Sequence, residues 1–90
     1  MAELEIWEQL LKESYDAALD KLSTLDRQHP TPEAALPLFE AAHRAWQGWA
    51  EAECVFQRAL AKEGSDRSSI STSCKVVMMA RRVLHYCSSM

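Results

Sequence analysis

Apolar residues in the first third of the chain recur at steps of three and four positions. This period is typical of an amphipathic α-helix, and acids and lysines occupy most of the positions between. The pattern predicts a first helix over about residues 3–25. From this helix we expect Leu11, Tyr15 and Leu22 to reach the core. The whole stripe comprises Leu4, Trp7, Leu11, Tyr15, Ala18, Leu22 and Leu25.

The segment "DRQHPTP" at 26–32 breaks this pattern, because proline disrupts a helix interior. Thr31 followed by Pro32 is typical of an N-cap and a first helical residue. Pro37 comes five residues after Pro32, and we expect it to kink the chain or to separate a first turn from the main helix. The second helix is predicted over about residues 38–62.

The last third of the chain is also predicted to be helical. Gly64 is expected to stop the second helix, and Ser65 or Asp66 can cap a third helix over about residues 66–86. A short connection makes consecutive helices antiparallel neighbours. We therefore predict an all-α fold, a small three-helix bundle in which the first helix crosses an antiparallel hairpin. The expected apolar stripe of the third helix comprises Ile70, Cys74, Val77, Arg81 and Leu84.

The composition predicts one small globular domain over residues 1–90 and argues against several classes of protein. Apolar residues make up 48% of the chain, with only two glycines, which argues against disorder. The net charge is −3, whereas a nucleic-acid-binding chain is usually basic. No run approaches the ~20 apolar residues of a membrane span. Residues 1–12 lack the basic start of a secretory leader, so we expect a cytosolic chain or a mature form whose leader was removed.

Two of the three cysteines are nearly equidistant from the predicted turn. Cys54 lies ten residues before Gly64, and Cys74 lies nine residues after Ser65. A disulfide between them would close a loop of ~20 residues and add about 3 kcal/mol by the chain-entropy estimate. The alternative is a pair of buried, reduced thiols in a cytosolic protein. Cys87 is left over as a free thiol or as a link between two chains.

No pattern of catalytic or metal-binding residues stands out in the sequence. A cysteine with His43 or His85 could act as nucleophile and base, but no orienting group or oxyanion feature accompanies them. Cys74, His85 and Cys87 lack the second spaced pair of a zinc site, and no Gly-rich phosphate loop is present. We therefore expect no enzyme activity, no metal site and no cofactor.

The second helix carries two adjacent apolar stripes. Phe39 and Trp46 lie seven residues apart, as do Trp49 and Phe56. Interleaved basic residues are missing, so stacking on nucleic-acid bases is not predicted. We expect Trp46 to pack in the core. Trp49 and Phe56 either meet another helix of the bundle or form an exposed patch for a partner.

Two segments carry residue patterns that also occur in a known family: spaced leucines with a tyrosine, and tryptophans followed by a cysteine. They are "LLKESYDAALDKL" at 10–22 and "HRAWQGWAEAEC" at 43–54. Together with the later glycine turn and second cysteine, they resemble the LprI-like family of small secreted bacterial proteins, which includes lysozyme inhibitors. The sequence departs from the family pattern at Ala50-Glu51, which stands for Arg-Asp, and at His43, which stands for Gln. The matching positions are Leu11, Tyr15, Leu19, Leu22, Arg44, Ala45, Trp46, Trp49, Ala52, Glu53, Cys54, Gly64, Ser65, Cys74 and Arg82.

The resemblance implies a Cys54–Cys74 disulfide and export to the periplasm or cell exterior, where such a bridge persists. It also implies a non-catalytic binding protein that inhibits lysozyme, or another cell-wall hydrolase, by occluding the enzyme. The acidic first helix would steer it toward a basic enzyme. We expect a polar network in which Arg44 and Glu51 share one helix face. Its members are Arg44, Glu51, Glu53 and Arg82.

The alternative function is structural. A small helical adaptor, for which a cytosolic location is the alternative to export, could self-associate as a homodimer through the stripe of Trp49 and Phe56. The state of the cysteines distinguishes the two hypotheses, because three reduced thiols would argue for the cytosolic protein.

Overall fold

The fold is all-α, as predicted. The structure is a computed structural model that describes residues 3–60 and 67–89, and these contain helices and no strand. The predicted turn at Gly64–Ser65 and the predicted caps at Ser65 and Asp66 lie outside the described residues. The three helices are α1 (Glu3–Gln28), α2 (Ala35–Leu60) and α3 (Arg67–Ser89).

The helices form a bundle in which α3 packs against both of the others. Two contacts fix the direction of α2 relative to α3. Cys54 is bonded to Cys74, and His43 is hydrogen-bonded to Tyr86. Residue numbers fall along α2 as they rise along α3, so the two helices are antiparallel and the predicted hairpin is confirmed.

The start of α2 is capped by a side chain from α1 rather than by the residue predicted from sequence. The amides of Ala35 and Leu36 donate to the two carboxylate oxygens of Asp26, each at 2.8 Å. Pro37, in the first turn, has no N–H that needs a partner, so the helix begins before it. The prediction of Thr31 as N-cap is wrong, since its hydroxyl donates to the carbonyl of the residue two positions later at 2.8 Å.

The buried face of α3 differs from the predicted stripe beyond Cys74. Val77 and Leu84 are 45% and 65% exposed, and Arg81 is exposed as well. The buried residue that follows Cys74 on this face is Met78, four positions later, whereas the predicted stripe continued to Val77, three positions later. Both lines are apolar in the sequence, and the packing of α3 against its two neighbours selects one of them. The buried residues of α3 are Ser71, Cys74, Met78, Val83 and Tyr86.

The core between α2 and α3 surrounds the disulfide. Cys54 is 1% exposed and Cys74 is 7% exposed, and both belong to one buried cluster with Ala50 and Met78. Trp46 packs against this cluster and is itself half-buried. The other three residues predicted for the core are also half-buried: Leu11, Tyr15 and Leu22.

Candidate functional site

A chain of hydrogen bonds crosses the buried end of the bundle where α2 meets α3. His43 and Tyr86 are 7% and 3% exposed. The Tyr86 hydroxyl is bonded to His43 Nδ1 and accepts a hydrogen bond from Arg82 Nε at 3.0 Å. Aromatic rings enclose the pair, with the Tyr15 ring 4.3 Å from the His43 ring and the Phe39 ring 5.0 Å from the Tyr86 ring, centroid to centroid.

The charges and the burial around these hydrogen bonds decide which group donates the proton in each of them. Burial, followed by the positive charge of Arg82, lowers the pKa of His43. The imidazole is therefore neutral at pH 7, and its Nδ1 accepts the proton that the Tyr86 hydroxyl donates. Arg82 donates to the same hydroxyl, so a single polar chain ties α2 to α3. Within residues 3–60 and 67–89, every buried side-chain nitrogen and oxygen has a hydrogen-bond partner.

Arg82 also links this polar chain to the core tryptophan. Its guanidinium carbon lies 5.4 Å from the centroid of the Trp46 ring and 4.9 Å from that of Tyr86. Both distances are within the range of a cation–π interaction. Among the described residues, Arg82 thus meets two aromatic rings and a hydroxyl, which are neutral partners, and no carboxylate.

The four residues of the predicted polar network are not joined as ion pairs. The ion pair between Lys12 and Asp16, on α1, involves none of these four residues. Arg44 and Glu51 are exposed, and Glu53 accepts a hydrogen bond from Gln57 at 3.4 Å. The fourth residue, Arg82, is engaged by the aromatic rings. Although Arg44 and Glu51 share a face of α2, this face does not bring a carboxylate into an ion pair with Arg82.

An open groove of about 260 Å³ lies between the three helices, beside Trp46. Trp46 and the buried Ala50 form part of its apolar lining. Exposed side chains stand at the edge, with Glu8 from α1, Glu51 from α2 and Lys75 from α3. The edge therefore carries two carboxylates and one ammonium group, and its charge is negative overall. An apolar floor beside such an edge suits a long basic side chain, whose methylene stem packs on the floor while its charge meets the acids.

The predicted partner residues lie on a different face of α2. Trp49 is 56% exposed and Phe56 is 55% exposed, so neither faces the bundle. Cys87 is an exposed free thiol near the end of α3.

The pair of His43 and Tyr86 is the feature that sequence reasoning missed. The two residues are 43 positions apart, and the histidine replaces a glutamine in the family resemblance. One signal was available, because His43 lies on the same helical stripe as Ala50 and Cys54. A polar residue on a buried stripe requires a buried partner.

Comparison with known proteins gives one match. The family model described as lysozyme inhibitor LprI matches residues 1–85. No curated protein and no solved structure matches the chain. Separately, none of the helices in the described part of the chain is both long enough and apolar enough to cross a membrane.

Proposed function

The chain belongs to the lysozyme inhibitor LprI family, and from that premise we propose that it is a non-catalytic binding protein that inhibits a lysozyme or a related cell-wall hydrolase. The observation that carries the proposal is the family match, which extends over residues 1–85 of the 90-residue chain. Inhibition by occlusion needs a surface complementary to the enzyme and no catalytic group of its own.

We propose that the groove beside Trp46 is the part of this surface that recognises the enzyme. Its two carboxylates, on Glu8 and Glu51, would bind an arginine or lysine that a basic hydrolase presents near its cleft. Trp46 and Ala50 would contact the methylene stem of that side chain. The net charge of −3 adds long-range attraction to a basic enzyme and speeds association.

The acidic outer face of α1 supports the same proposal. Residues 1–30 carry seven acidic side chains against three basic ones. Most of these acids project into solvent in the described part of α1, and Asp16 forms an ion pair with Lys12. The exposed acids are Glu3, Glu5, Glu8, Glu13, Asp16 and Asp20.

We also propose that the protein works outside the cytosol. The Cys54–Cys74 disulfide supports this, because such bridges persist in the periplasm and cell exterior and are rare in the cytosol. Titration of thiols on unreduced protein from its native host should find one, that of Cys87. Three free thiols would contradict export.

The direct test of the proposed function is a lysozyme activity assay. The oxidised chain is titrated against a basic lysozyme, with cell-wall substrate, up to a stoichiometric excess at micromolar protein. We expect progressive loss of lysis, with an inhibition constant that rises as salt increases from about 50 to about 300 mM, because salt screens the charge pairs. Absence of inhibition at micromolar excess would refute the inhibitor proposal.

Charge-neutralising variants then test the groove. Glu8→Gln and Glu51→Gln should each raise the inhibition constant by roughly 10-fold, because each removes a carboxylate from a basic side chain. Asp20→Asn is the matched control, since Asp20 is exposed on α1 but does not line the groove. If all three variants weaken inhibition equally, the enzyme senses the total charge of the chain and not the groove.

A further inference from the structure

The outer face of α2 is apolar along its whole length. Four large side chains on it are between 55% and 61% exposed: Leu38, Trp49, Phe56 and Leu60. Exposed alanines fill the positions between them: Ala42, Ala45, Ala52 and Ala59. Glu53, four positions after Trp49, borders this strip, and the other charged residues of α2 lie on other faces. The strip is therefore a continuous exposed apolar surface.

The spacing of these residues is that of a coiled-coil seam. Leu38, Ala42, Ala45, Trp49, Ala52, Phe56 and Ala59 follow one another at alternating steps of four and three. A strict alternation of this kind keeps one apolar line facing a single partner helix. We call these seven residues the α2 seam. The bundle does not use it, since every member is exposed.

Gly48 lies beside the α2 seam and has no role in the packing of the single chain. Apart from its chain neighbours and the backbone of its own helix, a Cβ added at Gly48 would meet no atom of the described residues within 4 Å. Glycine in a helix interior is unfavourable relative to alanine, because it loses more backbone freedom on folding. Its presence here is explained if a second backbone approaches α2 closely at this point.

The size and shape of the α2 seam fit a second copy of the same chain. With each of the four large side chains of this face presenting roughly 100 Å² and each of its four alanines roughly half of that, the face offers roughly 600 Å² per copy. Two such faces bury roughly 1,200 Å² in total, which is at the lower end of the range of stable protein interfaces. The seam is also self-complementary, since Trp49 and Phe56 protrude from it, and Gly48 and Ala42 of a second copy leave room for them.

We propose that the protein forms a two-fold symmetric homodimer in which the α2 seams of two copies pack against each other. An antiparallel arrangement centred near Gly48 sets Phe56 of one copy over Ala42 of the other and Leu38 over Ala59. It places Trp49 of each copy beside Gly48 of the other, where the missing side chain allows the helix axes to approach. The groove beside Trp46 lies on the inward side of α2, so each copy in the dimer keeps its groove open to an enzyme.

The test measures mass in solution on a Cys87→Ser background, which removes disulfide-linked pairs. Sedimentation or light scattering from about 2 to about 200 μM should show the mass rising from the 10.2 kDa of one chain toward twice that value. Trp49→Glu and Phe56→Glu should each weaken the dimer by at least about 30-fold. Leu84→Glu is the matched control, because Leu84 is 65% exposed but lies on α3.

A second variant separates the interface from the fold. Gly48→Leu fills space that is empty in the single chain, so the helical content and the disulfide should be retained while the dimer is lost. A wild-type chain that stays monomeric at 200 μM overturns the proposal, as does a dimer that survives both Glu substitutions. A monomer whose inhibition of lysozyme is lost with Trp49→Glu also overturns it, and assigns the α2 seam to the enzyme.

Discussion

Breaking the Cys54–Cys74 disulfide should remove a large part of the stability of this chain. The bridge joins two helices and closes a loop with a sequence separation of 20 residues. Its Cα atoms are 5.5 Å apart, which is a normal separation for a disulfide. The bond therefore constrains the unfolded chain without distorting the backbone of the folded one.

The magnitude follows from the length of the loop. Closing a loop of this size lowers the entropy of the unfolded chain by an amount worth about 3 kcal/mol at 25 °C. A small domain is stable by only about 5–10 kcal/mol in total. A loss of this size should lower the melting temperature by about 15 °C in a chain of this length.

The assay compares thermal and urea unfolding of oxidised and reduced protein on a Cys87→Ser background. Thiol titration shows that both Cys54 and Cys74 are free before melting is measured. The variant Cys54→Ala/Cys74→Ala should melt near the reduced protein, and slightly below it, because Cys54 is 1% exposed and its sulfur fills a closed site. Cys87→Ser alone should leave the melting temperature unchanged, since Cys87 is exposed.

The reasoning fails if full reduction is verified and the melting temperature falls by less than about 3 °C, the shift expected from well under 1 kcal/mol. In that case the contacts of Ala50, Met78 and Trp46 hold α2 against α3 without the covalent bond. The unfolded chain would then retain contacts that already constrain the loop.

Two further predictions concern the polar contacts of α2. Asp26→Ala should cost about 1–2 kcal/mol in the free energy of unfolding, because two first-turn amides lose their acceptor. Asp20→Ala, the control, should cost less than about 0.5 kcal/mol. Equal losses for the two variants in urea unfolding would refute the role of Asp26 as the cap. The stability of the protein should also fall as pH drops below about 6.5, which is the pKa of an unfolded histidine. Below this pH the unfolded state binds a proton at His43, whereas the folded state does not, because folding lowers the pKa of His43. The contribution is complete above that pH and declines toward the folded pKa, with a slope of at most about 1.4 kcal/mol per pH unit. His43→Gln should flatten urea stability between about pH 5 and 6.5 relative to wild type, and parallel curves for the two proteins would contradict the assignment.

The candidate site was only partly predictable from sequence. Trp46 and the two bridged cysteines were identified from spacing and family resemblance, because these features lie along single helices or at matched distances from one turn. The groove was not predicted, since its edge takes Glu8, Glu51 and Lys75 from three different helices. Periodicity within one helix carries no information about which residue of another helix stands opposite.

The sequence by itself determined that the chain folds as three helices, where each apolar stripe begins, and which family the chain belongs to. Helix formation is decided by local pattern, by breakers such as Pro30 and Pro32, and by the abundance of helix-forming residues. These determinants act within a few residues of one another, so they can be read directly from the order of amino acids.

Tertiary structure decided which stripe is buried and which contacts cross between helices. α3 offers two apolar lines through Cys74, and packing against α1 and α2 chose the one that continues to Met78 and not to Val77. Asp26 caps a helix nine residues further along the chain, and the polar chain from Arg82 needs α2 and α3 to be in register. Such contacts depend on how far each helix is rotated about its axis, and that rotation is fixed only when all three helices pack together.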